Sequence, residues 1–391
     1  MNTTEIFRLK PPSNIGIIGG GQLGKMLTVE GKRMGYNIII LDPKANCPAG
    51  QIADEQIIAE FSDITALREL SRKTDVITYE FEHIDVELLS LIEEDGHKIY
   101  PSSNTLRMIQ NKYIQKSIFK KSGIKVPDFY LINSLDELKD IFYKLDKKII
   151  LKACKGGYDG KGNIVIKDAN KIEEAYKKLC NDDLMVEEFI DYIKEVSVII
   201  NKNHEGISFY PVTENIHKDS ILINSIIPAK ISKETEEKII QMAKKIIETI
   251  DDFGVFCIEF FIDCNLNILV NEVAPRPHNS GHYTIEGCIT SQFEQLIRII
   301  TGMPLGSTKL RLPCAMYNIL GSNDVDGKYC VNGIESILDI EDCYFHLYGK
   351  SESKYLKKIG HITALDESVE KANQKAQKAM SSIGIAPLVN A

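Results

Sequence analysis

The string Lys152-Ala-Cys-Lys155-Gly156-Gly157-Tyr158-Asp159-Gly160-Lys161-Gly162 places three lysines and four glycines within eleven residues, between two short apolar runs. A glycine loop can fold over a triphosphate and donate backbone N–H groups while lysines neutralise its charge. It lacks G-x-x-x-x-G-K-[ST], so it is not a P-loop. The bland alternative is an exposed hairpin loop with solvated lysines. Glu259 lies within Cys257-Ile258-Glu259-Phe260-Phe261, and Glu272 within Leu269-Val270-Asn271-Glu272-Val273. A carboxylate in an apolar strand is costly unless it is paired or ligated. Two of them on neighbouring strands, with Asn271 alongside, suit Mg²⁺ bridging phosphates, because Mg²⁺ takes one or two carboxylates plus phosphate and water oxygens.

Gly19-Gly20-Gly21-Gln22-Leu23-Gly24 fits G-x-G-x-x-G, and Asp42 ends the next apolar run. Such a turn lets backbone approach an anion at a helix N-terminus. Three readings stay open: a dinucleotide, another phosphate or ribose ligand, or a turn that only packs helix on sheet. Glu187-Glu188-Phe189-Ile190 follows an apolar run and suits presentation of backbone groups to adenine, or is an edge strand entering a loop.

These residues need a frame. Apolar runs at 15–18, 38–41, 76–78 and 98–100 alternate with helical patterns at 23–34, 64–70 and 86–92, predicting a βαβ series with a mostly parallel sheet. One helix is expected over 103–122, ended by Gly123 and Pro127. Strands are expected at 149–153, 163–166, 184–188, 195–200, 206–210 and 220–227, with helices at 135–145, 170–179 and 233–250. A hairpin is expected from 255–262 and 267–273, and strands then a helix at 369–382 close the chain. The fold class is α/β with α+β.

The 391 residues exceed one ordinary core, and 43% hydrophobic with 26% charged residues describes a globular protein. The net charge of -8 disfavours nucleic acid and anionic lipid as partners. Nine cysteines without a CxxC pair suggest reduced thiols in a cytoplasm. No run approaches the roughly 18 apolar residues of a membrane span.

Taken together, the motifs resemble the ATP-grasp superfamily and, within it, the N5-carboxyaminoimidazole ribonucleotide synthases of purine biosynthesis. The resemblance rests on Gly19-Gly-Gly-Gln-Leu-Gly-Lys-Met26, Tyr79-Glu-Phe-Glu-His83, Gly156-Gly-Tyr-Asp-Gly-Lys-Gly162, Tyr210-Pro-Val-Thr-Glu-Asn-Ile-His217 and Asn271-Glu-Val-Ala-Pro-Arg-Pro-His-Asn-Ser-Gly-His282. It implies a Rossmann-like (pre-ATP-grasp) substrate-binding domain over 1–108, an ATP-grasp domain over 109–304 with a small lid near 123–190, and a small β-rich domain over 305–391. It implies ATP-binding residues Lys112, Lys152, Gly157, Tyr158, Asp159, Gly160, Lys161, Gly162, Asn163, Glu187, Glu188, Phe189, Ile190, Glu195, His217, Asn271 and Glu272. Glu259 and Glu272 would hold Mg²⁺, with Mn²⁺ able to substitute. Gln22, Leu23, Glu80, Tyr158 and Lys350, with Lys357 or Lys358, would bind 5-aminoimidazole ribonucleotide. Arg276, His278, Asn279 and Asp159 would serve the reaction with bicarbonate, His278 by orienting it or moving a proton. A homodimer is expected.

Two departures from the family pattern stand out. Lys112 follows Asn111 where an arginine is common, which keeps charge but removes bidentate geometry. The stretch 348–361 lacks the usual Arg-Pro-Gly turn. Rival readings are another ATP-grasp ligase, such as a formate-dependent glycinamide ribonucleotide transformylase, a dinucleotide-dependent oxidoreductase, and a non-catalytic nucleotide-binding protein.

Overall fold

The computed structural model describes residues 8–157, 162–180 and 183–388. The chain opens with β1 (Asn14–Ile18), α1 (Gln22–Arg33), β2 (Asn37–Leu41), β3 (Glu55–Ile57), α2 (Ile64–Lys73), β4 (Val76–Tyr79) and α3 (Val86–Glu94). The four strands form a parallel sheet in the order β3-β2-β1-β4. The apolar sequences of β1, β2 and β4 are buried almost throughout, as parallel strands covered on both faces require, and only β3, at the edge, is partly exposed. The expected strand at 98–100 reduces to a single parallel bridge, Ile77 to Ile99.

The helix expected over 103–122 is two helices, α4 (Ser103–Gln110) and α5 (Lys112–Lys121). Asn111 breaks it: the residue is extended, at φ -96° and ψ 107°, and its side chain accepts from the N–H groups of Tyr113 and Ile114. Asn caps a new helix better than it continues an old one. The break sets Lys112 at the start of α5, where its own N–H donates to the Cys154 carbonyl.

Next come β5 (Phe129–Ile132), α6 (Leu135–Leu145), β6 (Ile149–Ala153), β7 (Asn163–Ile166), α7 (Ile172–Leu179) and β8 (Leu184–Glu188). They build an antiparallel sheet ordered β5-β8-β6-β7 with its own small core, in which Leu138, Leu151, Ile172 and Val186 are buried.

The central sheet follows: β9 (Tyr192–Asn203), β10 (Gly206–Phe209), β11 (Thr213–Lys218) and β12 (Ile221–Ile227), then α8 (Lys233–Ile250), β13 (Gly254–Asp263) and β14 (Ile268–Ala274). Ser232 caps α8 by accepting from the Thr235 N–H, and Ile239, Ala243, Ile246, Ile247 and Ile250 form its buried stripe. Each fully buried isoleucine there contributes roughly 1.5–3 kcal/mol.

The chain ends with α9 (Thr284–Gly287), α10 (Gln292–Ile300), β15 (Cys314–Leu320), β16 (Tyr329–Asn332), α11 (Ile334–Leu338), β17 (Cys343–Leu347), β18 (Lys358–Leu365), α12 (Val369–Ser381) and β19 (Gly384–Pro387). β15, β18 and β17 do not make a separate sheet. They continue the central one, in the order β14-β13-β9-β11-β12-β15-β18-β17, and β16 pairs with β19 apart from it. The largest core joins the units: Ile17, Leu27 and Tyr36 pack with Ile199, Phe293, Leu296, Tyr348 and Leu365. The first sheet is thereby fixed against the central one, and its carboxyl edge faces the loop after β17.

Candidate active site

The cleft between the two antiparallel sheets is organised by opposite charges drawn from distant elements. Glu259 on β13 and Glu272 on β14 are direct register partners. A β-bulge follows them, because Phe260 pairs with Val270, leaving Asn271 as the extra residue. Lys112 Nζ lies 2.6 Å from Glu272 Oε2. That contact holds the Glu272 carboxyl down to about 2, with Lys152 adding to the effect. Glu259 is pushed the other way, well above the ordinary carboxylate range, by burial and by the charges of Glu272 and Glu195.

Deeper in the cleft, Glu187 is 1% exposed and lies between two ammonium groups. Lys152 donates to its Oε1 at 2.8 Å. Lys116, four residues after Lys112 on α5, reaches within 2.8 Å of its Oε2, off the line of a hydrogen bond, and donates to the Asn271 carbonyl at 2.7 Å. Burial alone would raise the Glu187 carboxyl, but the two lysines bring it below its ordinary value.

On the opposite wall, Glu195 Oε2 and His217 Nδ1 are 3.1 Å apart. With Glu259 they offer ligand atoms that all lie within 4.8 Å of one another.

The turn after β14 adds Arg276, His278 and Asn279. Arg276 grips Glu82 with Nε at 2.5 Å and Nη2 at 3.0 Å. Against burial, that guanidinium holds Glu82 down to about 2. His278 Nε2 is 3.6 Å from Glu259 Oε1. Burial, with Arg276 next, lowers the His278 ring to about 3, so it is neutral near pH 7. Asn279 Oδ1 accepts from Asn318 Nδ2.

At the carboxyl edge of the first sheet, Gly20 N–H donates to Asp42 Oδ2 at 2.8 Å, and Gly21 and Gly24 donate to the two Glu80 oxygens at 2.6 and 2.7 Å. Gly19 takes φ +98°, and a Cβ there would strike Glu80. The backbone donors a pyrophosphate would use are therefore already held by the protein's own carboxylates, which removes the support for a dinucleotide. Beside this corner, Gly21, Asp42, Lys44, Cys47, Lys350 and Lys357 line a cavity of about 180 Å³. Lys350 Nζ donates to Gln22 Oε1 at 2.7 Å, tying the loop after β17 to α1.

Family models match in three consecutive stretches: a ribonucleotide synthetase preATP-grasp domain over 13–110, an ATP-grasp domain over 117–293, and a phosphoribosylaminoimidazole carboxylase C-terminal domain over 314–375. The N5-carboxyaminoimidazole ribonucleotide synthase of Bacillus subtilis is 39% identical over 372 residues, 93% of this chain and 96% of its own. The chain belongs to the N5-carboxyaminoimidazole ribonucleotide synthase family. The synthetase of Thermotoga maritima superposes with a TM-score of 0.88 at 43% identity, covering 96% of this chain and 99% of that one. An Aspergillus clavatus synthase, solved with ADP and 5-aminoimidazole ribonucleotide, superposes at 0.87 with 32% identity, covering 95% and 98%.

In this synthase-family cleft the structure gathers Lys112, Lys152, Glu187, Glu195, His217, Glu259, Asn271, Glu272, Arg276 and His278 around one space. Gly157 and Gly162 end the described segments on either side of residues 158–161, and Asn163 is Lys152's register partner across β6 and β7. Glu188, Phe189 and Ile190 lie at the end of β8, where Phe189 N–H donates to the Lys148 carbonyl. Tyr158, Asp159, Gly160 and Lys161 lie outside the described residues. Gln22, Glu80, Lys350 and Lys357 meet at the first sheet's edge.

Three of these residues sit differently from what their expected roles suggest. Leu23 is 7% exposed in the main core and offers a pocket no side chain. The Glu187 carboxylate is committed to two lysines, so only backbone at this strand end is left to meet a ring. Lys358 lies close enough for its charge to act on Glu259 and His278, whereas Lys357 lines the cavity beside Gly21.

Lys116, Glu82 and Lys44 were not anticipated. Lys116 had a signal in its i, i+4 spacing from Lys112. Glu82 had one in its place beside Glu80. Nothing local marks Lys44, whose Nζ donates to Ser351 Oγ at 2.7 Å across 307 residues of chain.

Proposed function

We propose that this chain uses ATP to join bicarbonate to the amino group of 5-aminoimidazole ribonucleotide, forming N5-carboxyaminoimidazole ribonucleotide. The observation that carries this reading is the facing of Lys112 and Lys152 against the Glu259–Glu272 pair, in a chain of this family. A bicarbonate oxygen attacks the γ-phosphorus and ADP leaves, giving carboxyphosphate. The exocyclic nitrogen then attacks its carbonyl carbon, or CO₂ released from it; phosphate departs and the nitrogen loses a proton.

Glu259 and Glu272 fit Mg²⁺, or Mn²⁺ in its place. Glu259 is buried among carboxylates, which a divalent cation would relieve. When bound, the cation offsets charge on the transferred phosphoryl group. Lys112 and Lys152 hold the nucleotide phosphates and the backbone after β8 holds adenine. Glu195 and His217 line the ribose. Lys350 and Lys357, together with Lys44, suit the ribonucleotide phosphate in the 180 Å³ cavity. The sheet over 123–190 acts as the lid that keeps water from carboxyphosphate. Domain boundaries fall at 108/109 and 304/305.

Among the described residues no helix is long and apolar enough to cross a membrane. The nine free cysteines support a reducing cytoplasm, and a two-fold homodimer is the expected assembly.

The direct test is ADP release with 5-aminoimidazole ribonucleotide, with bicarbonate, with formate, and with neither. Release that depends on bicarbonate is expected. Release that depends on formate instead would assign the chain to formyl transfer.

Arg276→Ala is expected to lower carboxylation by roughly 10²- to 10³-fold, the usual loss for a donor aimed at developing anionic charge. The dissociation constant for ATP should change little. An equal loss in both, measured by turnover and by nucleotide titration, would reduce Arg276 to a strut for Glu82.

A further inference from the structure

We infer that Ser280, backed by Ser197 and Asn215, is a positioning residue that fixes His278 with its proton on Nε2, so that the ring donates to an oxygen of the reacting carboxyl group instead of accepting a proton. The inference rests on the reading above, in which His278 faces that group.

His278 caps the one-turn segment Asn279–Gly281, and the Ser280 N–H donates to its Nδ1 at 3.3 Å. A backbone amide can only give a hydrogen, so this long contact biases Nδ1 toward accepting and the ring's proton toward Nε2, but it does not hold either there alone. The Ser280 hydroxyl lies 2.8 Å from the same nitrogen. Behind it, Ser280 Oγ and Ser197 Oγ are 2.9 Å apart. Asn215 Nδ2 donates to Ser197 Oγ at 2.9 Å, and Ser225 Oγ donates to Asn215 Oδ1 at 2.9 Å.

These donors set a direction. Because Asn215 supplies a hydrogen to Ser197, the Ser197 hydroxyl turns its own toward Ser280, and the Ser280 hydroxyl turns toward Nδ1. The chain of bonds crosses β12, β11 and β9 from side to side. Ser225, Ser197 and Ser280 are wholly buried, and Asn215 is 5% exposed. Ile199, two residues on and on the same face of β9 as Ser197, is buried in the main core, so an apolar residue at 197 would pack there without needing partners.

Gln292 fixes the other side of the residue. Its Oε1 accepts from the His278 N–H at 2.9 Å, and its Nε2 donates to the His278 carbonyl at 2.8 Å. With the backbone clamped and Nδ1 engaged, Nε2 is the ring nitrogen left for the cleft, on the side of Glu259.

The test is nitrogen NMR on the full chain with ¹⁵N-labelled histidines, His278 being assigned by its loss in His278→Gln. The expected spectrum has Nε2 protonated and Nδ1 bare in the parent. Ser280→Ala should mix the tautomers and lower kcat by roughly 10- to 100-fold, the usual cost of removing the partner that orients a functional imidazole, while KM for ATP stays near the parent value. Ser197→Ala, which leaves the Ser280 hydroxyl in place, should move both readouts the same way by less. A proton on Nδ1 in the parent, or an unchanged tautomer in Ser280→Ala, would overturn the inference. A displaced tautomer in Ser280→Ala with full turnover in His278→Gln would overturn instead the assignment of His278 to the reaction.

Discussion

Glu272→Gln is expected to abolish bicarbonate-dependent ATP turnover, a loss of at least roughly 10²- to 10³-fold in kcat, with the fold intact. The amide keeps the size of the carboxylate but not its charge. Lys112 would lose the partner it holds at 2.6 Å, and the strand pair would keep one carboxylate where the proposed cation site has two. The Glu272 side chain is 43% exposed, so its ion pair with Lys112 adds at most about 1 kcal/mol to folding, and thermal unfolding should move little. Stopped turnover together with an unchanged unfolding temperature is the pattern sought. Near-normal turnover would remove Glu272 from the reaction.

The second large effect falls on folding. In Glu187→Gln, Lys116 and Lys152 would be left as two buried ammonium groups around a neutral amide. Breaking such a pair from one side costs about 3–5 kcal/mol, which urea denaturation resolves. The double variant Glu187→Gln/Lys116→Met should recover part of that loss, because it removes one stranded charge. A single-variant loss below about 1 kcal/mol would mean that the lysines do not depend on this carboxylate. The pH dependence has a definite sign. The two lysines set the folded carboxyl below its ordinary value despite burial. Its stabilisation is therefore fully present above the unfolded value of roughly 4.3, and it fades as pH falls below that.

The sequence carried the site where a charged residue broke an apolar pattern. Glu259 and Glu272 are conspicuous because each interrupts a strand of buried neighbours, and their register pairing follows from the hairpin. Lys116 was hidden by the opposite circumstance. A lysine in a helix usually reads as a solvated face, and only the break at Asn111 turns this stretch toward β8. The strand β11 escaped notice because Glu214, Asn215 and His217 read as a polar connection, yet Asn215 is polar on account of partners on β9 and β12. β3 and β5 were missed as well, being only three and four residues long. The other three strands of the first sheet, β1, β2 and β4, were plain from their short apolar runs. Contacts such as Lys44 with Ser351 and Arg276 with Glu82 join segments that no local spacing relates.

The continuation of the central sheet through β15, β18 and β17 has a mechanical consequence. Residues that would grip the ribonucleotide and residues that would grip the metal are riveted to one plate, whereas Lys152 and Glu187 belong to the separate four-stranded sheet. The chain's tail is accordingly no appendage, for peeling it off would uncover the Asn224–Ile227 edge of β12 and take Lys350, Ser351 and Lys357 from the cavity beside Gly21.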